Sequence, residues 1–456
     1  MKINPEIFRQ YDIRGIVGED LDSEVVEALG KGIGTYLRGK GKKEIALGRD
    51  GRHSSGPFRE ALLKGLISTG CRVTDLGIVP TPLLYFSIYC HQKEGGVMIT
   101  GSHNPPEYNG FKIMVSQETL YGQEIQKIYQ IIDQERYISQ GGGSFVSHNI
   151  IPEYQDRIFK DIKIEKKLKV VIDAGNGTGG MVAVPIFKKL DCEVEELYCD
   201  LDGNFPHHHP DPTMPKFLKD LIAKVKETNA DMGIAYDGDA DRLGVIDEEG
   251  NILWGDQLMI IFCRDILPKN PGAPIISEVK ASQILYNEIE KLGGKPIMWK
   301  TGHSFIKKKI KEEEALLAGE MSGHIFFADR YFGFDDAIYS SLRLLEILSR
   351  SDKKLSQMLS DLPKTYHTPE IRLYSSDQVK FKIVEEVKNN LAKKYPIIDV
   401  DGVRAIFPRG WGLVRASNTQ PILVLRFEAE TEKDLENIQS IVKNEIERVI
   451  KGLEDC

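Results

Sequence analysis

In TGSHNPPEYNGFKI (100–113) a buried-strand pattern, GGVMIT, stops abruptly and delivers Ser102 and His103 into a loop stiffened by Pro105 and Pro106. Gly101 permits close backbone approach there. A hydroxyl held at that point, beside His103 and with Lys112 further on, can accept and return a phosphoryl group. The same run also reads as an ordinary Ser/Asn/Pro turn. YDGDADR (236–242) sets Asp237, Asp239 and Asp241 at i, i+2 and i+4, on one side of an extended segment. Three hard carboxylates without Cys or His suit magnesium rather than zinc. A solvated acidic turn is one alternative. An EF-hand calcium loop is another, using Asp237, Asp239, Asp241 and Glu248. It would put Arg242 where the tight turn requires Gly, and strands where helices should flank.

Two further loops offer recognition chemistry. GEMSGH (319–324) presents Glu320, Ser322 and His324 at alternating positions, a set able to read vicinal hydroxyls of a sugar. RASNTQP (415–421) offers Arg415, Ser417, Asn418 and Thr419 with loop N–H groups, a cradle for a phosphate dianion. Alone, either could be a surface loop. DAGNGTGG (173–180) matches GxGxxG after a strand, with Asp200 following, and is the one pointer to a nucleotide-dependent oxidoreductase; a strand-to-helix turn is the competing reading. No Walker A pattern occurs. HHHP (207–210) looks metal-like, but three adjacent histidines in a Pro-bounded loop cannot all point one way.

The elements around these runs alternate between strand and helix. KEIALGRD (43–50), CRVTDLGIV (71–79) and GGVMIT read as strands, and PFREALLKGLISTG (57–70) as a helix, which indicates an α/β layer sandwich. QGGGSF (140–145) is the first plausible linker. A second unit starts at KLKVVIDAGNGTGG, and a third, after Asp256, contains PIISEVKAS, KPIMWKTGHS and LLAGEMSGHIFF. The charge run KKKIKEEE (307–314) reads as one solvated helix face. The last ninety or so residues suggest an α+β domain. Its first helix is expected from Asp377 to about Lys394, with Ser375 and Gln378 as a capping box, and its last from Thr431, with apolar positions 435, 438, 442, 446, 449 and 453 on one face. The expected boundaries are 1–148, 149–254, 255–366 and 367–456, each unit offering one polar loop to a common cleft.

Length, 456 residues, argues for about three or four domains, and 41% hydrophobic with 28% charged residues is a soluble globular composition. No apolar run approaches the roughly 20 residues that span a bilayer, and the N-terminus has no signal-peptide core. Six cysteines without CxxC or metal-ligand spacing suit a reducing compartment, so a cytoplasmic location is expected. A net charge of −8 with interspersed signs argues against nucleic acid as a partner.

Together, TGSHNPPEYNG, DGDADR, GEMSGH and RASNT, in that order across the chain, resemble the α-D-phosphohexomutase superfamily, specifically its phosphomannomutase/phosphoglucomutase group. The resemblance implies three related α/β mixed-sheet domains plus a smaller C-terminal α+β domain around a central cleft. It implies a phosphoserine at Ser102 and one Mg²⁺ per chain, held by Asp237, Asp239, Asp241 and a phosphoserine oxygen. Glu320 and Ser322 would bind sugar hydroxyls, and residues 415–419 the non-transferring phosphate. Matching positions add Tyr11, Arg14, His103, Lys112, Arg242, Lys280 and His303, with Arg14, His103, Lys112, Arg242 and His324 on the catalytic side. His324 is the first candidate for moving the proton, and Lys112 the second. The activity implied is interconversion of hexose 1-phosphate and hexose 6-phosphate through a hexose 1,6-bisphosphate, with glucose 1,6-bisphosphate as activator, in a monomer or small homo-oligomer. Met321 and the Asn418–Thr419 pair resemble the glucose/mannose enzymes; phosphoglucosamine mutases more often show GEQSGH and an R-x-SGTE loop. Besides a phosphoglucosamine mutase, the competing activities are a magnesium-dependent sugar phosphatase, a nucleotide-dependent oxidoreductase and a silent sugar-phosphate binder.

Overall fold

A computed structural model describes residues 3–417 and 420–454. Three stretches of the chain build the same motif. In the first, the strands Glu44–Arg49, Arg72–Ile78, Gly95–Ile99 and Tyr108–Val115 lie in the spatial order second, first, third, fourth. The first three are parallel and the fourth is antiparallel to the third. Lys169–Asp173, Glu193–Leu197, Met232–Tyr236 and Leu243–Asp247 repeat that order and those directions. Pro274–Glu278, Lys295–Trp299, Leu317–Gly319 and Ile325–Phe327 do so again. Helices occupy both crossovers of each motif, as parallel neighbours require.

Burial explains the composition of these strands. Each third strand (GGVMI, MGIAY, LAG) lies between two neighbours and is buried throughout. The second strands of the later two motifs lie at an edge and keep Glu193, Glu196 and Lys295 in water. A single hydrophobic cluster running from Ala46 to Met358 joins all three motifs, so they pack as one body. The helix Ala337–Arg350 packs against it and is buried on nearly every side, including the polar Ser340, Ser341, Arg343 and Glu346. Asp336 caps that helix by accepting from the Tyr339 N–H, and Tyr154 and Tyr331 donate hydroxyls to it. Burial pushes the Asp336 carboxyl up to about 6.

The fourth unit is different: an antiparallel sheet, Tyr366–His367, Ile422–Ala429, Gly410–Ala416, Val403–Phe407 and Ile397–Ile398, with Ile371–Tyr374 also on Ile422–Ala429. The helices Lys380–Leu391 and Glu432–Glu454 pack on it around a core of their own. Leu435, Ile438, Val442, Ile446 and Val449 form the expected buried stripe. The smaller joint to the third motif is Val279 against Trp411 and Leu413. There the buried Arg404 donates to the carbonyls of Val279 and Ala281 at 2.7 and 2.8 Å.

Three local expectations fail. Ser375 and Gln378 form no capping box: the Ser375 N–H donates to Pro421 O, drawing that residue to the sheet, and a turn over 377–379 precedes a helix that starts at Lys380. Within QGGGSF, Ser144 and Phe145 belong to an edge strand, Ser144–Ser147, parallel to Arg72–Ile78. The charge run at 307–314 is not wholly solvated, because Lys307 and Ile310 point inward from the helix His303–Glu313.

DAGNGTGG is a strand-to-helix turn leading into Gly179–Lys189. A Cβ on Gly177 would lie 2.7 Å from the Gly238 carbonyl oxygen, so the turn presses directly on the acidic loop. Gly177→Ala should therefore lower the melting temperature by about 1–3 °C, from an overpacking cost of roughly 1–3 kcal/mol. Gly141→Ala, where the added Cβ meets open space, should leave it unchanged. Equal melting temperatures for the two variants, measured by differential scanning calorimetry, would contradict this packing.

Candidate active site

In every α/β motif the loop from the third strand to the fourth leaves the carboxyl edge of the parallel strands, where such sheets bind ligands. Those three loops are 100–107, 237–242 and 320–324, and they meet. Gly238 lets the first two touch, since a Cβ there would lie 2.5 Å from the Ser102 carbonyl oxygen. The Leu243 N–H donates to Gly323 O at 3.0 Å, which joins the second loop to the third.

Ser102 has φ 49°, a left-handed conformation uncommon for a residue with a Cβ. The buried guanidinium of Arg52 holds it there. It pairs with Asp50 at 3.2 Å and donates to the carbonyls of Ser102 (2.9 Å), Tyr108 (3.1 Å), Asn104 and Pro105. The Ser102 N–H donates to Thr100 Oγ1 at 2.8 Å. So fixed, Ser102 Oγ lies 3.2 Å from His103 Nδ1 and donates to Asp237 Oδ2 at 2.8 Å.

Asp237, Asp239 and Asp241 are fully buried, and each brings a carboxylate oxygen within 4.8 Å of the others. Two like charges at about 4 Å repel by about 4 kcal/mol at an effective dielectric of about 20. Cations must therefore stand among them. Lys112 Nζ lies 2.6 Å from Asp239 Oδ2 and also pairs with Asp241. Burial opposes its charge, but Asp239 and Asp241 outweigh burial and hold its pKa well above the usual lysine value. Thr81 donates its hydroxyl to Asp239 Oδ2 and its N–H to the Asp239 backbone carbonyl. The Asp241 and Arg242 N–H groups donate to Asp237 Oδ1 at 3.0 and 3.1 Å. Even so, burial and then Asp239 and Asp241 push the Asp237 carboxyl well above the ordinary range. Asp239 Oδ1 and Asp241 Oδ1 are buried without a hydrogen-bond partner among the described residues. Converging carboxylates with orphaned oxygens fit a hard divalent cation. The EF-hand alternative fails: Glu248 accepts from Ser356, and strands flank the loop.

The third loop adds a second network. His324 Nδ1 lies 3.0 Å from the Asp241 carbonyl and 3.1 Å from Asp335 Oδ2, and Arg242 Nε donates to His324 Nε2 at 3.2 Å. Asp335 also meets His303 Nδ1 at 3.2 Å and Lys307 Nζ at 2.9 Å. Burial, reinforced by Lys307, lowers the His303 pKa to about 4. Glu320, also buried, accepts from the Gly302 N–H, and burial raises its pKa. Ser322 is half-buried on the same loop. Tyr11 donates to Thr301 O at 3.0 Å, and Arg14 to Asn104 Oδ1 at 2.8 Å.

The fourth unit closes the ring. Arg415 is buried and donates to Asp401 Oδ2 at 3.0 Å, and that oxygen also accepts the Thr301 N–H at 3.1 Å. Lys280 Nζ lies 3.4 Å from Glu278 and 3.3 Å from Glu370. Ser417 Oγ accepts from the Gln420 N–H at 3.2 Å. Asn418 and Thr419 lie outside the described residues.

The sequence reading missed Arg52, Thr81, Glu278, Lys307, Asp335 and Asp401. None sits in a motif whose spacing signals chemistry; FDD (334–336) was the one visible trace of Asp335, and Lys307 is hidden inside a charge run. HHHP is structural, as expected: His207 Nδ1 donates to Asn176 Oδ1 (2.8 Å) and stacks on Tyr198, and His208 pairs with Asp173.

Comparison with known proteins gives four consecutive matches, the phosphoglucomutase/phosphomannomutase α/β/α domains I, II and III at residues 5–139, 152–250 and 254–366 and the C-terminal domain at 370–445. A phosphomannomutase/phosphoglucomutase of Pseudomonas aeruginosa is 49% identical over 98% of this chain and 96% of its own. A phosphoglucomutase of Neisseria gonorrhoeae is 46% identical over 98% and 97%. The crystal structure of a phosphoglucomutase/phosphomannomutase family protein from Burkholderia thailandensis superposes with a TM-score of 0.94, at 41% identity and 99% coverage of both chains. With four domain matches end to end and relatives this similar, the chain belongs to the phosphoglucomutase/phosphomannomutase family.

Proposed function

We propose that this chain is a phosphohexomutase that interconverts the 1- and 6-phosphates of glucose and mannose through a phosphoserine at Ser102 and a hexose 1,6-bisphosphate. The observation that carries the reading is the contact of Ser102 Oγ with Asp237, at 2.8 Å, in a cleft faced by a loop from each of the four units.

Phosphoryl transfer is mostly positioning and charge neutralisation. The Arg52 clamp holds Ser102 Oγ in one orientation, so the oxygen that loses and regains the phosphoryl group stays put. Asp237, Asp239 and Asp241 would hold Mg²⁺, which neutralises charge on the phosphoryl oxygens when bound. Arg242 and Lys112 would face the same charge from the protein side. Lys112 lies between Asp239 and Asp241 and faces the phosphoryl group as a cation. His324 is the better placed to accept a proton: the Asp241 carbonyl only accepts, so Nδ1 carries the proton, and Nε2, which accepts from Arg242 Nε at 3.2 Å, becomes the basic nitrogen once Arg242 turns to the phosphoryl group. His324 thus takes the proton from the attacking sugar hydroxyl and returns it to the departing oxygen. Glu320 and Ser322 would bind sugar hydroxyls. Arg415, Ser417 and the 418–419 pair would grip whichever phosphate is not reacting, releasing Asp401 to do so. The bisphosphate turns over in the cleft, and its other phosphoryl group returns to Ser102. A cytoplasmic location follows from the composition and is part of this proposal.

Turnover of glucose 1-phosphate, mannose 1-phosphate and glucosamine 1-phosphate, with Mg²⁺ and a trace of glucose 1,6-bisphosphate, tests the substrate class. The expected kcat/KM values for glucose and mannose lie within about tenfold, a difference under about 1.4 kcal/mol, with the amino sugar well below. Preference for the amino sugar would make the chain a phosphoglucosamine mutase, and phosphate release matching substrate loss would make it a phosphatase. Ser102→Ala should lower turnover by at least about a thousandfold, roughly 4 kcal/mol of barrier, with circular dichroism unchanged. Wild-type-like turnover in that variant would exclude the phosphoserine. Arg415→Ala should raise KM by about tenfold or more, corresponding to loss of a charge-assisted contact of about 1.5–3 kcal/mol; an unchanged KM would exclude the phosphate clamp.

A further inference from the structure

Away from the cleft, two imidazoles and a carboxylate converge where the first α/β unit meets the second. His91 follows the helix Thr81–Cys90, His148 follows the edge strand Ser144–Ser147, and Glu153 lies in the first turn of the helix Ile151–Asp161. His91 Nε2 lies 2.6 Å from one oxygen of Glu153, and His148 Nε2 lies 2.7 Å from the other. The two rings are 5.0 Å apart at 62°. Their backbones are anchored: the His91 N–H donates to Ser87 O at 2.9 Å and the His148 N–H to Asp75 O at 2.8 Å. The side chains remain 26%, 35% and 44% exposed, so an ion can reach them from solvent.

We propose that His91, His148 and Glu153 form a site for a zinc-class divalent cation, separate from the magnesium site and serving to staple the first unit to the second. The three ligand atoms already lie within 4.8 Å of one another. A tetrahedral ion bonded at about 2.0–2.2 Å needs only side-chain rotation to seat among them, with water as the fourth ligand. Two neutral imidazole nitrogens and one carboxylate select zinc, nickel or copper over magnesium, which takes oxygen ligands. The staple has a structural consequence. The far end of the helix Thr81–Cys90 is Thr81, which holds Asp239 by hydroxyl and N–H. Pinning His91 stiffens the helix that supports the catalytic acidic loop.

The test is calorimetric titration of Zn²⁺ into the full-length protein in excess Mg²⁺, with melting followed in parallel. A single equivalent of zinc and a rise in melting temperature of about 2–4 °C are expected. The double variant His91→Asn/His148→Asn should lose both while keeping its circular dichroism spectrum and its turnover. Asp239→Asn should keep both, because its carboxylate belongs to the other site. No zinc equivalent in the wild type, or an equivalent retained by the double variant, would overturn the proposal. Loss of the equivalent in Asp239→Asn would assign the ion to the acidic loop and also overturn it. Should the double variant fail to fold, Glu153→Gln provides the same comparison.

Discussion

The ammonium of Lys112, lodged between Asp239 and Asp241, is the contact on which the site depends. It rises from the fourth strand of the first unit and reaches the loop of the second, so one ion pair both neutralises the buried acidic loop and joins two domains. Without a cation, three carboxylates of zero exposure could not all stay ionised beside Ser102. The other supports are arranged around that need. Thr81 and the N–H groups of Asp241 and Arg242 give the carboxylates donors, and Arg52 sets the Ser102 loop at the distance where Oγ meets Asp237. Two carboxylate oxygens, Asp239 Oδ1 and Asp241 Oδ1, are left buried without a hydrogen-bond partner among the described residues.

The repeated strand order gives this arrangement its logic. Three sheets with the same order deliver the same loop, third strand to fourth, and a hydrophobic cluster common to all three fixes their carboxyl edges toward one cleft. Each loop then differs in its chemistry: a hydroxyl in the first, carboxylates in the second, and a carboxylate, a hydroxyl and a histidine in the third. The fourth unit has a separate core and is joined chiefly through Arg404, Trp411 and Val279 and the polar contacts of Arg415, Asp401, Lys280 and Glu370. That division gives the three α/β motifs one shared core and the fourth unit a core of its own. The Arg415–Asp401–Thr301 contacts hold the fourth unit against the third.

How much of this was legible in the sequence depends on whether function sits in short runs. Ser102, the three aspartates, Glu320 and His324 lie in loops bounded by Gly and Pro, and their ordered combination carried the family. The stripe of the last helix was visible because a 3.6-residue period survives in sequence. Asp335, Arg52 and Asp401 were not visible, because each acts on residues far along the chain: Asp335 on His303 and Lys307, Arg52 on the 102–108 carbonyls, Asp401 on Thr301 and Arg415. Lys307 was misread because a charge run shows polarity but not which side chain a helix turns inward. Ser375 was misread as a cap because its backbone bond to Pro421 lies 46 residues away in sequence.

In the proposed reaction Ser102 carries the phosphoryl group and gives it to the substrate. Intact-mass and peptide measurement of the purified enzyme, before and after mixing with a single equivalent of glucose 6-phosphate and Mg²⁺, tests it most directly. One phosphoryl group is expected on the peptide containing Ser102, lost on mixing as an equal amount of glucose 1,6-bisphosphate appears. A phosphoryl group that stays on Ser102 through turnover, or that leaves as inorganic phosphate, would contradict it.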